Sequence, residues 1–352
     1  MNKANWRALA NLKADGYSYA SEQLSSRLRD MGALSLDDFY NSNIKSLTFS
    51  DDGQMILIPN KDSSDILINN CLPPEYSFDA EYVVGFTYWE TTRLPPKWVN
   101  YMNRCDEVWT TSRWARQVFI DSGVKSPVFN FNLGIDTEAF QYNRASQTPQ
   151  KPFTLIHVGS PSTRKNTQLV VDAFHKLFNY SSDYKLIIKS NGPPDARHII
   201  DGYNFGSLYN KKNIEIIDYY ITDSELASLF ARADCMVYPT RGEGWGMAPF
   251  QAIATGLPTI CSNATSCTEF AHLSVPLEAE YVDTNQFGIY QTGQWADPKI
   301  DDVCDKILYV INNYEKVSED TRRGSDFIHE NYSWDTVVLG FYQRIMEIMN
   351  NE

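Results

Sequence analysis

Residues 234–262 of the chain read DCMVYPTRGEGWGMAPFQAIATGLPTICS, and this stretch decides the fold. The apolar run from Cys235 to Tyr238 is typical of a buried parallel strand. A loop with three glycines follows, and the residues from Met247 to Thr255 predict a helix that ends before Gly256. Leu257 to Cys261 is the next apolar run. The stretch therefore predicts a strand, a glycine loop, a helix and a second strand.

The predicted helix that begins at Met247 has free N–H groups at its start, at the carboxyl edge of a parallel sheet. Such a helix end attracts anions, and open parallel sheets bind their ligands at this edge. Glu243, in the same loop, would repel a phosphate, so we expect it to accept hydrogen bonds from hydroxyl groups. Phosphate and hydroxyls together favour a nucleotide-sugar. The alternative is that Glu243 is a solvated acid and that the glycines only turn the chain.

The run EGWGMAPFQ from Glu243 to Gln251, followed by AIATGLPTI, resembles the motif of the family 4 retaining glycosyltransferases. The resemblance extends from Gly16 to Trp334 and implies an α/β protein of the GT-B fold, with two facing Rossmann-like parallel-sheet domains and an interdomain cleft. In this family the first glutamate contacts hydroxyls of the donor sugar, and a second glutamate, after seven residues, holds the ribose. Gln251 occupies the second position. Its amide can accept from one ribose hydroxyl and donate to another, but its lack of charge puts donor affinity or nucleotide choice in doubt.

A second loop with donor chemistry lies at 159–166, GSPSTRKN, between a predicted strand at 154–158 and a predicted helix. Arg164 and Lys165 suit a pyrophosphate, since the guanidinium offers paired N–H donors and the ammonium acts as a point charge. The family uses an Arg/Lys pair here for the donor diphosphate; a solvated basic loop is the alternative. The resemblance implies further donor contacts at Gly16, Tyr17, Gly159, Tyr220, Ile221, Gly244, Trp245, Gly246 and Met247.

The nucleotide base has a candidate pocket of its own. Ile214 to Asp218 predicts a strand, and Thr222 with Glu225 predicts a capping box for a helix over 223–232. In the family the segment before this helix lines the base pocket, so residues 219–221 are the candidates. Core packing of these residues is the competing explanation.

The first half of the chain carries two features of the expected acceptor side. Asp15-Gly16-Tyr17 opens a predicted amphipathic helix and matches the family's loop near the donor phosphate or the acceptor; an ordinary capped helix is the alternative. A strand that ends in Trp89-Glu90 would place both residues at the carboxyl edge of a sheet. Many members of the family have a histidine near here that faces the acceptor. The predicted N-terminal domain contains none of the five histidines, so Glu90 is the candidate for assisting the acceptor hydroxyl. A structural ion pair between Glu90 and Arg93 is the alternative.

The domain organisation is predicted from length and linker composition. A chain of 352 residues suffices for two domains, and the polar, proline-containing segment 143–152 is the predicted linker. We expect an N-terminal acceptor-side domain over 1–145, completed by the C-terminal helix 334–352. A nucleotide-sugar-binding domain is expected over 146–333, with Val303 to Ile311 as its penultimate helix.

Composition excludes several classes of protein. The chain has 31 Lys and Arg against 44 Asp and Glu, a net charge of −13, which argues against a general binder of nucleic acid or anionic membranes. Six scattered cysteines are typical of reduced core residues in a cytoplasmic protein. No apolar run reaches the roughly 18 residues of a membrane span. No Asp-x-Asp triplet occurs, which favours a reaction without metal or cofactor, in which Arg164, Lys165 and a helix dipole neutralise the leaving diphosphate.

The sequence thus predicts a retaining glycosyltransferase with Glu90, Arg164, Lys165 and Glu243 as catalytic residues. The donor is a UDP- or GDP-sugar, with UDP expected, and the acceptor is a hydroxyl, such as that of a glycan. One alternative is a phage-type DNA glycosyltransferase acting on 5-hydroxymethylpyrimidine in a host cytoplasm, since 93–116 carries a local excess of basic residues. Another is a non-catalytic sugar-nucleotide-binding protein, suggested by Gln251.

Overall fold

The structure is a computed structural model. It describes residues 4–8, 16–34, 44–49, 55–59, 64–143, 149, 151–179, 181–190, 212–284 and 290–350, with backbone only at 16, 44–49, 55–59, 64 and 65.

The strands are β1 (Ala4–Ala8), β2 (Ile44–Phe49), β3 (Met55–Pro59), β4 (Ser64–Asn70), β5 (Ala80–Phe86), β6 (Glu107–Thr110), β7 (Val128–Asn130), β8 (Phe153–Val158), β9 (Tyr184–Lys189), β10 (Ile214–Ile217), β11 (Cys235–Tyr238), β12 (Thr259–Ser262), β13 (Val275–Leu277), β14 (Glu280–Asp283) and β15 (Gln294–Asp297). The helices are α1 (Gly16–Asp30), α2 (Pro96–Met102), α3 (Arg113–Asp121), α4 (Thr167–Phe178), α5 (Asp223–Ala231), α6 (Met247–Ala254), α7 (Ile300–Asn312), α8 (Tyr314–Asn331) and α9 (Trp334–Asn350). Short 3₁₀ helices lie at Pro73–Glu75, Thr265–Glu269 and Ala271–Leu273.

The chain divides into two compact units. Unit 1 comprises Met1–Gly134, Asn285–Gly293 and Trp334–Glu352, and unit 2 comprises Ile135–Thr284 and Gln294–Ser333. Each unit contains a parallel sheet with helices, which confirms the predicted α/β class.

Unit 1 is built on a five-stranded parallel sheet in the order β1-β4-β5-β6-β7. One face packs against α2 and α3, where Trp98, Met102 and Phe119 are buried. The other face receives α9, whose Phe341 ring lies 5.6 Å from that of Phe86 and 5.7 Å from that of Trp109. The strands of this sheet are covered on both faces, which explains their near-continuous apolar sequences.

Unit 2 is built on a six-stranded parallel sheet in the order β10-β9-β8-β11-β12-β13. Its core joins apolar residues of β8, β9, β11 and β12 to Phe174 of α4 and Ile307 of α7. The strand order runs from β8 through β9 to β10 in one direction and from β11 to β13 in the other. The point of reversal therefore lies between β8 and β11, where ligands of such sheets bind.

Residues 234–262 fold as predicted. β11, α6 and β12 follow one another, and Gly256 has a φ of 79°, in the left-handed region expected after a helix. The capping box of Thr222 and Glu225 is present at the start of α5. Ser112, in the first half, caps α3 through its side chain.

Two sequence-based predictions were wrong. β5 ends at Phe86 rather than at Trp89-Glu90, because Trp89 turns into the core, fully buried, with its ring centroid 4.7 Å from that of Trp98. The penultimate helix is α8 (Tyr314–Asn331), which follows the predicted helix at 303–311. Its many charges and its internal Gly324 hid the amphipathic pattern.

The six cysteines, all in described positions, are buried and free. Of the helices that the structure describes, none is both long and apolar enough to cross a bilayer.

Candidate functional site

Two loops of unit 2 lie side by side at the carboxyl edge of the sheet, where the strand order reverses. The 159–166 loop follows β8 and leads into α4, and the 239–246 loop follows β11 and leads into α6. Both loops therefore end at the start of a helix, next to its free N–H groups. This arrangement brings the two segments that the sequence assigned to a donor into one place.

Hydrogen bonds connect the two loops directly. The backbone N–H of Arg241 donates to the carbonyl of Arg164 at 2.8 Å, and the guanidinium of Arg241 donates to the carbonyl of Thr163 at 2.9 Å. Arg164 in turn donates from Nη1 to the carbonyl of Gly242 at 2.7 Å. Neither loop is therefore free to move independently of the other.

Two residues with left-handed backbones support these loops. Asn166 has a φ of 58° and donates from its amide to the carbonyl of Pro239 at 3.1 Å. Thr265 has a φ of 53°, and its hydroxyl accepts the backbone N–H of Glu243 at 3.0 Å. Such backbone conformations are costly for residues with a Cβ and concentrate at functional sites.

Three charged side chains meet between the loops. The ammonium of Lys165 donates to both carboxylate oxygens of Glu243, at 2.8 Å to Oε1 and 2.9 Å to Oε2. Arg164 Nη1 lies 3.3 Å from Oε2 of the same carboxylate. The sequence assigned these residues to opposite ends of a donor, the cations to the diphosphate and the acid to the sugar. The structure pairs them, so the acid also orients the cations.

Two hydroxyl groups complete the shell around the carboxylate. Tyr238, the last residue of β11, donates to Glu243 Oε1 at 2.9 Å, and the Thr240 hydroxyl donates to the same oxygen at 2.8 Å. Glu243 is 5% exposed, so these bonds lie almost entirely out of solvent. We refer to Arg164, Lys165, Tyr238, Thr240 and Glu243 as the 243 cluster.

The electrostatics of the cluster keep Glu243 ionised. Burial alone raises the pKa of a carboxyl, but here the charges of Lys165 and Arg164 and the hydrogen bonds from Lys165 and Thr240 outweigh it. They lower the pKa of Glu243 to about 2. The pKa of the Tyr238 phenol is raised, by burial first and then by the charge of Glu243, so it stays protonated and can donate.

His157 lies under the cluster on β8, fully buried. Its Nδ1 is 2.9 Å from the carbonyl of Val237, which can only accept, so Nδ1 carries the proton. Its Nε2 is 3.1 Å from the hydroxyl of Thr167. Burial lowers the pKa of His157 to about 4, and the imidazole is therefore neutral at physiological pH.

The start of α6 carries the remaining donor candidates of the glycine loop. Gly246 precedes the helix with a φ of 100°, and Met247 begins it. Gln251 is 5% exposed, one turn further along. The indole of Trp245 is buried among aromatic rings, with its centroid 5.3 Å from that of Phe250 and 5.7 Å from that of Phe270, so its side chain belongs to the core beneath the loop.

The base-pocket candidates lie at the end of β10. Tyr219 and Tyr220 are each 64% exposed, and Ile221 is half-buried. Core packing, the competing explanation, is therefore wrong for the two tyrosines.

The candidates of unit 1 lie at the carboxyl edge of its own sheet. Gly16 begins α1, and the phenol of Tyr17 donates to the carbonyl of Phe86 at 3.2 Å. Glu90 follows β5 and is half-buried. In unit 2, Gly159 directly follows β8, and its N–H donates to the carbonyl of Lys189 at 2.9 Å.

Sequence reasoning missed Tyr238, Thr240, Thr265 and His157. A signal for the first three existed, because each hydroxyl stands just after or at the end of a strand, at the sheet edge that carries the site. His157 gave no such signal, since a single histidine within an apolar strand is also compatible with ordinary core packing. In the part of the chain that is described, no group of three or more His, Cys, Asp or Glu could hold a metal ion.

Two parallel-sheet units with a charged cluster at the switch point of the second define the class of GT-B glycosyltransferase folds, and solved structures agree. Sucrose-phosphate synthase from Thermosynechococcus elongatus superimposes with a TM-score of 0.71 over 100% of both chains, at 13% identity. HepE from Anabaena, solved in complex with UDP and glucose, gives a TM-score of 0.65 over 100% of both chains, at 12% identity. At such identities these structures show the fold.

A family model described as "Family 4 Glycosyltransferase in conflict systems" matches residues 111–341, well over half of the chain. The protein belongs to this family, which confirms the predicted membership of the family 4 glycosyltransferases.

Curated relatives match part of the chain. The GDP-mannose-dependent α-(1-6)-phosphatidylinositol dimannoside mannosyltransferase of Mycobacterium tuberculosis is 28% identical over 173 residues, 47% of this chain and 42% of the relative. Glycosyltransferase 45 of Sulfolobus islandicus filamentous virus is 23% identical over 245 residues, 66% of this chain and 64% of the relative. The chain thus spans less than two thirds of the length of either relative.

Proposed function

We propose that the protein is a retaining glycosyltransferase that moves a sugar from a nucleotide diphosphate sugar to a hydroxyl acceptor such as a glycan. The observation that carries this proposal is the 243 cluster, which holds two cations and an ionised carboxylate beside two helix starts at the switch point of unit 2. Membership of the family supports glycosyl transfer, and the family resemblance supports retention.

In the proposed reaction the new bond forms on the face of the sugar from which the diphosphate departs. Arg164 and Lys165 stabilise the negative charge of the departing diphosphate, assisted by the dipole of α6. Glu243 accepts hydrogen bonds from hydroxyls of the donor sugar, which its low pKa permits at any physiological pH. Gln251 binds the ribose, and Tyr220 with Ile221 borders the base.

The acceptor side of the proposal rests on unit 1. We assign donor binding to the domain over 146–333 and acceptor binding to 1–145 with 334–352. Gly16 and Tyr17 contribute the loop at the first helix, and Glu90 assists the acceptor hydroxyl. The six free cysteines support a reducing compartment such as the cytoplasm.

The test replaces the cations. Arg164→Ala and Lys165→Ala, singly and together, should lower donor turnover by about 100-fold or more, the scale observed for lost donors to a developing charge. Release of nucleoside diphosphate is the readout. Lys176→Ala, which removes an exposed lysine of α4, is the control and should match wild type. A double variant with wild-type turnover would refute the assignment, and multiple turnovers by wild type would exclude a non-catalytic sensor.

The nucleotide is identified by ligand-induced stabilisation. We propose UDP over GDP. A solved neighbour contains UDP, which favours this choice, whereas a curated relative is named for GDP-mannose. Each nucleotide-sugar of a panel would be tested for a shift in melting temperature. A ligand at 100 times its Kd adds about 2.7 kcal/mol of stability, so the true donor should separate clearly from the others.

A DNA acceptor is the second candidate. A viral relative and the family's description as part of conflict systems favour it. The basic residues at 93–116 that would contact phosphates are exposed: Arg93, Lys97, Arg104, Arg113 and Arg116. Transfer to 5-hydroxymethylpyrimidine DNA, with binding that weakens steeply as salt rises, would support this acceptor. Transfer to glycans alone, insensitive to salt, would exclude it.

A further inference from the structure

The side chain of His157 connects β8 and β11, the two strands on either side of the switch point. β8 and β11 pair through Leu155 with Cys235 and through Ile156 with Met236. At the next position the connection is made by the imidazole of His157, whose Nδ1–H donates to the carbonyl of Val237 at 2.9 Å. His157 therefore holds the two strands at a fixed separation at the point where their loops diverge toward the 243 cluster.

The ring of Tyr238 rests on this histidine. The two rings are stacked, with centroids 5.7 Å apart and an angle of 28° between their planes. Tyr238 is 1% exposed, so its ring is enclosed on all sides. A tyrosine ring has only two rotatable side-chain bonds, and packing of this kind leaves its hydroxyl a single position.

That hydroxyl lies between the two opposite charges of the site. Lys165 Nζ is 2.8 Å from the Tyr238 oxygen, and Glu243 Oε1 is 2.9 Å from it. An ammonium only donates and a carboxylate only accepts, so the direction of both bonds is fixed. The phenol accepts from Lys165 and donates its own proton to Glu243.

We propose that Tyr238 is a positioning residue, which holds the ammonium of Lys165 and the carboxylate of Glu243 in one arrangement, and that His157 holds the Tyr238 ring. This inference rests on the proposed function, because the two groups it orients are those that meet the departing diphosphate and the sugar. The direct pair of Lys165 and Glu243 persists without the phenol, but the flexible lysine stem is then fixed by fewer bonds. Losing the phenol should therefore lower kcat rather than donor affinity, because the positions of the two groups matter most in the transition state.

The experiment is a double-mutant cycle on steady-state turnover. Tyr238→Phe keeps the ring and removes the hydroxyl; it should lower kcat about 10-fold or more and leave the donor KM within about 3-fold. In a Lys165→Met background the same change should lower kcat less than about 3-fold, since the ammonium, one of the two groups that the phenol orients, is gone. Tyr184→Phe is the control, because Tyr184 is a tyrosine of the same unit stacked on Phe178 outside the site.

The outcomes separate the possibilities. The positioning role alone would be overturned in either of two cases, provided that wild type turns over. In the first, Tyr238→Phe has the kcat of wild type. In the second, Tyr238→Phe lowers kcat equally in the wild-type and the Lys165→Met backgrounds. Wild type without turnover on any nucleotide-sugar would overturn the proposed function and this inference with it. If Tyr238→Phe does not fold, His157→Gln takes its place: it retains a donor for the Val237 carbonyl but removes the ring beneath Tyr238. It should lower kcat with little change in KM, and an unchanged kcat would overturn the role.

Discussion

At the scale of single residues, Glu243 has two tasks that the sequence shows only in part. The motif predicts that this acid contacts a sugar, and the structure adds that its carboxylate is buried and bound by two cations and two hydroxyls. Removing one partner of such a buried group is costly because the others remain desolvated. Glu243 is therefore important for stability as well as for the proposed chemistry.

The low pKa of Glu243 gives a pH-dependent prediction. Folding lowers this pKa from the ordinary 4.5 to about 2, so the carboxylate stabilises the fold above pH 4.5 and loses that contribution as the pH falls toward 2. Glu243→Gln should cost about 3–5 kcal/mol of unfolding free energy at neutral pH. The difference from wild type should narrow by about 2 kcal/mol as the pH falls from about 5 to about 3.

Urea unfolding at several pH values is the measurement. Glu330→Gln, which removes an exposed carboxylate of α8, is the control for the loss of one negative charge. A gap between Glu243→Gln and wild type that stays constant over this range would contradict the charge pairing seen in the 243 cluster.

At the scale of secondary-structure elements, the sequence predicted the strands and helices near the site because each has clear boundaries. Pro239 follows the end of β11, Gly256 adopts the left-handed conformation after α6, and the capping box of Thr222 and Glu225 begins α5. The side-chain network was not predictable in the same way. Tyr238 and His157 are neighbours only because β8 and β11 are adjacent in the sheet, an order that periodicity along one strand does not encode.

Tertiary packing explains the two wrong predictions, at the end of β5 and at α8. The sequence predicted a strand that ends in Trp89-Glu90, but β5 ends at Phe86, and the large apolar ring of Trp89 is stabilised in the core of unit 1. α8 was missed because its buried positions include Ser318, Thr321 and Gly324, which carry no hydrophobic signal. Packing decided both cases.

The junction between the 239–246 loop and α6 gives a prediction at this scale. Gly246 has a φ of 100°, and a Cβ there would lie 2.8 Å from Cys267 Sγ and 3.1 Å from Phe270 Cζ. Gly246→Ala should therefore cost the strain of the left-handed backbone, about 1–2 kcal/mol, and a further steric penalty of about 1–3 kcal/mol.

Gly123→Ala is the matched control for the backbone cost. Gly123 has the same φ of 100°, but a Cβ there would meet only Val99 Cγ1, at 3.9 Å. Comparing the unfolding free energies of the two variants isolates the steric part. Equal losses would mean that the loop yields to the added methyl group, in contradiction to its close packing.

At the scale of the whole molecule, the last helix belongs to the first unit. α9 is anchored by Arg344, which donates to Glu107, a fully buried carboxylate at the start of β6. Trp109 donates to the same carboxylate at 2.6 Å, and Arg344 also lies over the ring of Phe129 at 4.4 Å. The anchor is therefore a buried ion pair with additional donors rather than a surface contact.

The Arg344–Glu107 pair should contribute more to the free energy of unfolding than an exposed ion pair does. Arg344→Met leaves the Glu107 charge buried without its cation and should cost about 3–5 kcal/mol of unfolding free energy. Arg27→Met breaks the exposed pair of Arg27 with Asp335, which also joins α9 to unit 1, and should cost about 1 kcal/mol or less. Adding Glu107→Gln to Arg344→Met should recover part of the loss. Similar losses from Arg344→Met and Arg27→Met in denaturant unfolding would contradict this ranking.

The division of the chain into units has a consequence for the order in which the units fold during synthesis. Unit 1 takes in Asn285–Gly293, where Thr91 donates to the carbonyl of Thr292 at 3.0 Å, as well as the segment that forms α9. Nascent domains commonly fold in the order in which they leave the ribosome. Here the unit whose synthesis begins first lacks its closing segments until the residues of α9 have been synthesised. The unit translated second has all its residues earlier, so we expect it to be the first to reach its native form.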